Sequence, residues 1–209
     1  MGGRGGIVVL LGADGSGKST ISGLLLRQLD QRRISVRVRH WRPMILPSPR
    51  LFVGQKPSSD YGHHHEKREH PLSVSIFLSI YYWADFWLAY LGAMSFIRKG
   101  GVVIWERYIY DFLFDPLRHR LKIPEFWARL LCEAAPRPAL IVVLTGEPAM
   151  FYDRKNELNI AEIKQQQDRI TEYTKNRPEV FFIDTTKASA PDAGGAIITQ
   201  MESRGINAK

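Results

Sequence analysis

An apolar run, Ile7–Leu11, leads directly into the stretch GADGSGKS, in which glycine takes three of eight positions. The run is short, continuous and mostly β-branched, as in a strand that is buried on both faces. Apolar residues then recur at helical spacing from Thr20 to Arg32. The order strand, glycine loop, helix is therefore predicted at the start of the chain. It is typical of α/β folds.

The glycine stretch has the spacing Gly-x-x-x-x-Gly-Lys-Ser of a phosphate-binding loop. Glycine lets the backbone curl so that its N–H groups point at phosphate oxygens, and the following helix adds its positive end. Lys18 supplies a cation for the β- and γ-phosphates, and Ser19 supplies a hydroxyl for Mg²⁺. The residues expected to bind ATP are Gly12, Ala13, Asp14, Gly15, Ser16, Gly17, Lys18, Ser19 and Thr20.

Length and composition limit the class of protein. The 209 residues fit one domain, 1–209, and a single cysteine excludes an intrachain disulfide, which favours a reducing cytoplasm. The net charge of +8 favours anionic partners. No nucleic-acid-binding module is recognisable, so we expect a small-molecule partner and no nucleic acid.

One stretch, Leu72 to Ile97, is long and apolar enough to cross a bilayer. Its single formal charge, Asp85, would be costly in the middle of a span. The flanking segments complete a soluble fold, so we predict a helix that is buried on most sides within it, with no membrane span. A membrane anchor at this stretch is the alternative.

Further apolar runs continue the alternation of strands and helices. Strands are predicted at Val102–Trp105, Ala139–Leu144 and Val180–Ile183, and Ser35–His40 alternates apolar and basic residues like an edge strand. Together they predict a five-stranded parallel sheet with Ile7–Leu11 at its centre and helices on both faces. Residues 55–70 are polar and are expected to form a mobile loop. Its histidines, His63 to His70, leave a metal site as the alternative.

Three segments in order resemble thymidylate kinases: LGADGSGKST at Leu11, WERY at Trp105 and GEPAMFYDRKNEL at Gly146. WERY is similar to the family's Asp-Arg-Tyr signature, with Glu106 in place of the aspartate. The resemblance implies a three-layer P-loop kinase fold, ATP and Mg²⁺ as cofactors, and a lid at 153–159. A homodimer is one assembly that the chain could form.

The resemblance also implies the catalytic roles. Lys18 and Mg²⁺ act on the donor phosphates, Arg107 reaches between donor and acceptor, and Arg154 closes over the γ-phosphate from the lid. Glu106 has two open roles. It could serve with Ser19 at the metal, or it could accept a proton from an acceptor hydroxyl.

The acceptor is less defined. Thymidylate kinases carry an arginine directly after an Ala-Asp pair on the long helix, but here the sequence reads Ala84-Asp85-Phe86. Asp85 either caps a buried network or binds an acceptor hydroxyl or base. Carboxylates and arginines also follow WERY, where parallel strands end and ligands bind. The residues expected to bind the acceptor are Arg42, Tyr82, Asp85, Asp111, Asp115 and Arg118.

The sequence therefore predicts ATP-dependent phosphoryl transfer to a small-molecule acceptor, with a nucleoside monophosphate as the first choice. A nucleoside or sugar-type hydroxyl acceptor is the alternative. A regulator that binds ATP without transfer is a further alternative, because fold alone does not define activity.

Overall fold

A computed structural model describes residues 4–49, 69–156 and 158–206. The predicted loop at 55–70 lies outside the described residues except for Glu69 and His70, and Glu157 of the predicted lid also lies outside them. Two compact units divide the chain. Unit 1 comprises 1–41, 93–108 and 137–209, and unit 2 comprises 42–92 and 109–136. The prediction of one domain stays a prediction.

Unit 1 contains a five-stranded parallel sheet, which confirms the predicted fold class. Its strands are β1 (Gly6–Leu11), β2 (Val36–His40), β3 (Val102–Glu106), β4 (Leu140–Thr145) and β5 (Val180–Asp184). The spatial order is β2-β3-β1-β4-β5, so the strand before the glycine loop is central and the basic strand lies at an edge, as predicted. All six residues of β1 are buried.

Two helices cover one face of this sheet. They are α1 (Lys18–Gln31) and α7 (Ala190–Ser203). Their apolar side chains, such as Ile21 and Ile197, share a core with Val8 of β1. Val9, which points to the opposite face, is fully buried as well. Burial on both faces explains why these strands are continuous apolar runs.

Two more helices follow β4. They are α5 (Pro148–Arg154) and α6 (Ile160–Thr174). A small core of Ala13, Phe151, Leu158 and Ile163 joins α5 and α6 to the glycine loop. Asn159 begins α6 with a capping box, because its side chain accepts from the Glu162 amide while the Glu162 carboxylate accepts from the Asn159 amide.

Unit 2 is organised around the long apolar helix α2 (Leu72–Arg98), whose last turns belong to unit 1. The unit also holds the four-residue α3 (Asp111–Phe114), a 3₁₀ turn (Pro116–His119) and α4 (Glu125–Glu133). Two buried serines of α2 accept hydrogen bonds, one from the segment that leads into α4 and one from α4 itself. Ser75 Oγ accepts from the Lys122 amide at 3.0 Å, and Ser79 Oγ accepts from Trp127 Nε1 at 3.1 Å.

Burial of α2 is less complete than its composition predicts. By length and hydropathy it is the one helix among the described residues that could cross a membrane. Of the residues in its most apolar 18-residue stretch, 33% are buried within the fold. The buried positions include Ser79, Asp85 and Phe86, whereas Phe77 and Leu91 are exposed. The helix is therefore buried along one side, and not on most sides as predicted.

Candidate active site

The glycine loop between β1 and α1 has the backbone that its sequence predicts. Gly15 and Gly17 have φ angles of +81° and +87°, in the left-handed region that glycine enters without strain. A side chain at Gly15 would lie 2.2 Å from the Phe151 carbonyl oxygen, whereas one at Gly17 would meet nothing within 4 Å. No side chain caps the first turn of α1, so the positive end of this helix faces the loop.

Lys18 curls back over the loop that precedes it. Its Nζ donates to the carbonyl oxygens of Gly12 and Ala13, at 2.8 Å each, and lies 4.0 Å from Asp14 Oδ1. The residue is 8% exposed. A buried ammonium group needs such partners, and the same group can exchange these carbonyls for phosphate oxygens.

Glu106, the last residue of β3, points at the first two turns of α1. Its Oε2 accepts from Ser19 Oγ at 3.0 Å, and its Oε1 accepts from Ser22 Oγ. His40 Nδ1 lies 3.2 Å from Oε2. The predicted metal pair, Ser19 and Glu106, is thus brought together, with two neighbours that sequence reasoning missed.

Arg107 follows Glu106 in a left-handed backbone conformation, with φ at +61°. This conformation costs a residue other than glycine about 1–2 kcal/mol. Such strain is commonly found at functional sites. The guanidinium forms an ion pair with Asp14 of the glycine loop. Two predicted site residues are thereby joined.

Arg154 is the last residue of α5. Its Nη2 donates to the Thr185 carbonyl at 3.1 Å, and its guanidinium lies 5.8 Å from the centre of the Phe151 ring. Thr185 in turn donates from Oγ1 to the Ser16 carbonyl at 3.0 Å. The predicted lid residue is therefore linked through Thr185, just after β5, to the glycine loop. Thr185 carried no signal in the sequence.

The predicted acceptor residues all lie in unit 2. Asp85 is fully buried and accepts three bonds. They come from Arg42 Nε at 2.9 Å, the Met44 amide at 3.1 Å and the Leu46 amide at 2.6 Å. These bonds fit the alternative in which Asp85 caps a buried network. Acceptor binding by Asp85 stays a prediction.

Arg42 makes further contacts within the same unit. Its Nη2 donates to the carbonyls of Leu46 and Pro47, and its guanidinium lies 5.4 Å from the centre of the Tyr82 ring. Arg42 and Tyr82, both predicted at the acceptor site, are thus brought together with Asp85.

The other three predicted acceptor residues form local pairs. Asp115 accepts from Arg118 Nε at 2.8 Å and also caps the 3₁₀ turn through the Arg118 amide. Asp111 lies 3.8 Å from His119 Nε2. Both carboxylates are buried, which explains why each has a basic neighbour.

Comparison with known proteins supports the fold and goes no further. No protein-family model matches the chain, and no curated protein matches it. Among solved structures, the thymidylate kinase from Candida albicans, which has a broad substrate specificity, superposes with a TM-score of 0.67 at 18% identity. The match covers 99% of this chain and 95% of that one. The chain therefore has a thymidylate kinase-like fold, as the sequence resemblance implied.

Proposed function

We propose that this chain is a P-loop kinase that transfers the γ-phosphoryl group of ATP to a small-molecule acceptor, with a nucleoside monophosphate as the favoured acceptor. The observation that carries the proposal is the 3.0 Å contact between Ser19 Oγ and Glu106 Oε2 beside the glycine loop. A hydroxyl and a carboxylate at this place are the ligands that P-loop kinases offer to Mg²⁺.

The residues present fit ATP and Mg²⁺. The uncapped start of α1 and the open space at Gly17 suit an anionic phosphate group. Ser19 and Glu106 would hold Mg²⁺, which neutralises charge on the phosphates as it develops. Lys18 would exchange its two carbonyl contacts for phosphate oxygens. Arg107 and Arg154 would add positive charge at the transferring group, where preorganised charge stabilises the transition state.

The orientation of Glu106 supports a phosphate acceptor over a hydroxyl acceptor. Both of its carboxylate oxygens are turned toward serines of α1. A base for an acceptor hydroxyl must instead reach that hydroxyl. An acceptor that carries a phosphate needs no strong base, so a carboxylate held at the metal side is sufficient. We place the reaction in the cytoplasm, in keeping with the single buried cysteine, Cys132.

Substitution of Lys18 tests the proposal. Lys18→Ala removes the cation that faces the transferring phosphate, and we expect turnover to fall about 10²–10³-fold or more. The measurement is ADP release with ATP, Mg²⁺ and a panel of nucleoside monophosphates, nucleosides and sugars. Lys164→Ala, an exposed lysine on α6, is the matched control. ATP binding by the wild type without transfer to any acceptor would instead favour the regulator.

We also propose that two copies of the chain pair through α2. Four exposed apolar residues, Phe77, Ile80, Leu88 and Leu91, flank Ala84 at equal distances of seven and four residues on either side. Successive residues are about 100° apart around the helix axis, so all four side chains leave the helix within about 40° of the direction of Ala84. An antiparallel contact across a two-fold axis therefore sets Phe77 against Leu91 and Ile80 against Leu88.

The charge distribution on α2 supports a second copy as the occupant of this stripe. Between Leu72 and Ile97 the only charged residue is Asp85, which is fully buried and bonded to Arg42. Two copies of the stripe therefore bring no like charges together. A self-complementary patch of this kind closes into a dimer.

A further inference from the structure

Three side chains from two elements meet at Glu106. Ser19 and Ser22 of α1 donate to its two carboxylate oxygens, at Oε2 and Oε1 respectively. His40 at the end of β2 approaches Oε2 with Nδ1, at 3.2 Å. Glu106 itself is 6% exposed, so its carboxylate depends on these contacts in place of water.

The fold fixes this arrangement. In the parallel pairing of β2 with β3, His40 is the register partner of Glu106, so the imidazole is carried to the carboxylate by the strand register. Ser19 and Ser22 are three residues apart on α1 and therefore share one face of the helix. A change in strand register by one residue would point His40 to the opposite face of the sheet.

We propose that Ser22 and His40 are positioning residues that hold the two oxygens of Glu106 in place for a divalent cation bound at Ser19. This inference rests on the proposed function and deepens it. A carboxylate that binds a metal directly or through water must present its oxygens in a fixed direction. The hydrogen-bond partners behind such ligands commonly change metal affinity about 10–100-fold when removed.

Ser22 is expected to contribute more than His40. Ser22 is 3% exposed, so its removal leaves Oε1 of Glu106 in a buried place with a missing donor. Ser22 Oγ also lies 3.2 Å from the Ser19 carbonyl, but its one proton favours the charged carboxylate as the stronger acceptor. The His40 side chain is 76% exposed, so water can replace part of its contact.

The test measures binding of Mn²⁺, a spectroscopic substitute for Mg²⁺, by electron paramagnetic resonance with ADP present at saturation. We expect Ser22→Ala to raise the dissociation constant of Mn²⁺ about 10–100-fold. His40→Ala should raise it by a smaller factor, and His40→Asn, which keeps an N–H donor near the Nδ1 position, should restore it. Binding of ADP in the presence of a chelator should be unchanged in all three variants.

Ser203→Ala is the matched control for the serine. Ser203 on α7 makes the same bond to the carbonyl three residues earlier, at 2.9 Å, and lies outside the Glu106 cluster. Mn²⁺ affinity equal to that of the wild type in Ser22→Ala overturns the inference while the proposed function stands. A loss in His40→Ala that His40→Asn does not restore overturns the part assigned to His40. If the wild type binds ADP but no Mn²⁺, or no nucleotide at all, the metal site in the proposed function fails as well.

Discussion

Asp85 and Arg42 form a buried ion pair at 2.9 Å, in which the carboxylate is fully buried and the arginine side chain is 10% exposed. The same carboxylate accepts hydrogen bonds from the backbone amides of Met44 and Leu46. One acidic residue on an apolar helix therefore holds the backbone of 42–47 in place.

We expect Asp85→Asn to lower the free energy of unfolding by about 3–5 kcal/mol, because it leaves the Arg42 charge buried without its partner. Urea unfolding measures the change. Glu125→Gln is the control, since the Glu125 side chain is 78% exposed in its pair with Arg129 and such pairs contribute little. If the two variants unfold at the same urea concentration, the Asp85 network has no structural role.

Gly15 and Gly17 provide a matched pair of substitutions in the glycine loop. Both have left-handed φ angles, so alanine at either position costs about 1–2 kcal/mol of backbone strain. Only at Gly15 would the new methyl group collide with a backbone oxygen, that of Phe151. Gly15→Ala should therefore lower the melting temperature more than Gly17→Ala. Equal melting temperatures would contradict the close approach of α5 to the loop.

Thymidylate should be a poor acceptor. In the sequence resemblance, Phe86 stands where thymidylate kinases carry an arginine, and its side chain is fully buried. A buried phenyl group offers no hydrogen bond to a pyrimidine nucleotide. Steady-state kinetics with thymidylate measure this directly. A kcat/KM of about 10⁴ M⁻¹s⁻¹ or above, in the usual enzyme range, would show that another residue replaces the arginine.

Leu88→Glu should convert a dimer into a monomer, because the proposed contact would bury each new carboxylate, unpaired, against Ile80 of the other copy. Analytical ultracentrifugation of the wild type and the variant measures the mass in solution. Leu26→Glu, an exposed leucine on α1, is the control and should leave the dimer intact. A monomeric wild type, or a variant that still pairs, rules out the α2 stripe as the interface.

Stability should fall in mild acid partly through His70. Burial, and after it the positive charge of Arg120, hold the pKa of His70 below its ordinary value of 6.5. The folded state therefore favours neutral His70, and the stability that this contributes is complete above pH 6.5 and is lost as pH falls through the lower folded pKa. Urea unfolding at about pH 7.5 and about pH 5.5, on either side of the ordinary histidine pKa, should show a smaller loss for His70→Gln than for the wild type. Equal losses would exclude His70.

The sequence was most informative where one physical requirement dominates. Burial on both faces makes β1 apolar throughout, and the glycine loop has few alternatives for its backbone, so both could be predicted. His40 could not be found in this way, because its place beside Glu106 depends on strand register, which a short basic strand specifies weakly.

The buried side of α2 could not be predicted from the sequence either. Its composition predicted burial but could not indicate which side, because apolar residues occupy nearly every turn. The buried side is marked instead by small and polar residues, such as Ser75 and Ser79, whose partners come from a segment more than 40 residues further along the chain. The roles of Asp111, Asp115 and Arg118 at an acceptor stay predictions.

The position of β2 at the edge of the sheet has a consequence for solubility. An edge strand exposes unpaired backbone groups that can recruit a strand from another molecule and begin aggregation. The edge strand β2 contains Arg37 and Arg39. Repulsion between these arginines and those of a second molecule disfavours pairing of the two edge strands. Polyanions that neutralise these arginines should therefore promote precipitation of a protein that stays dissolved in their absence.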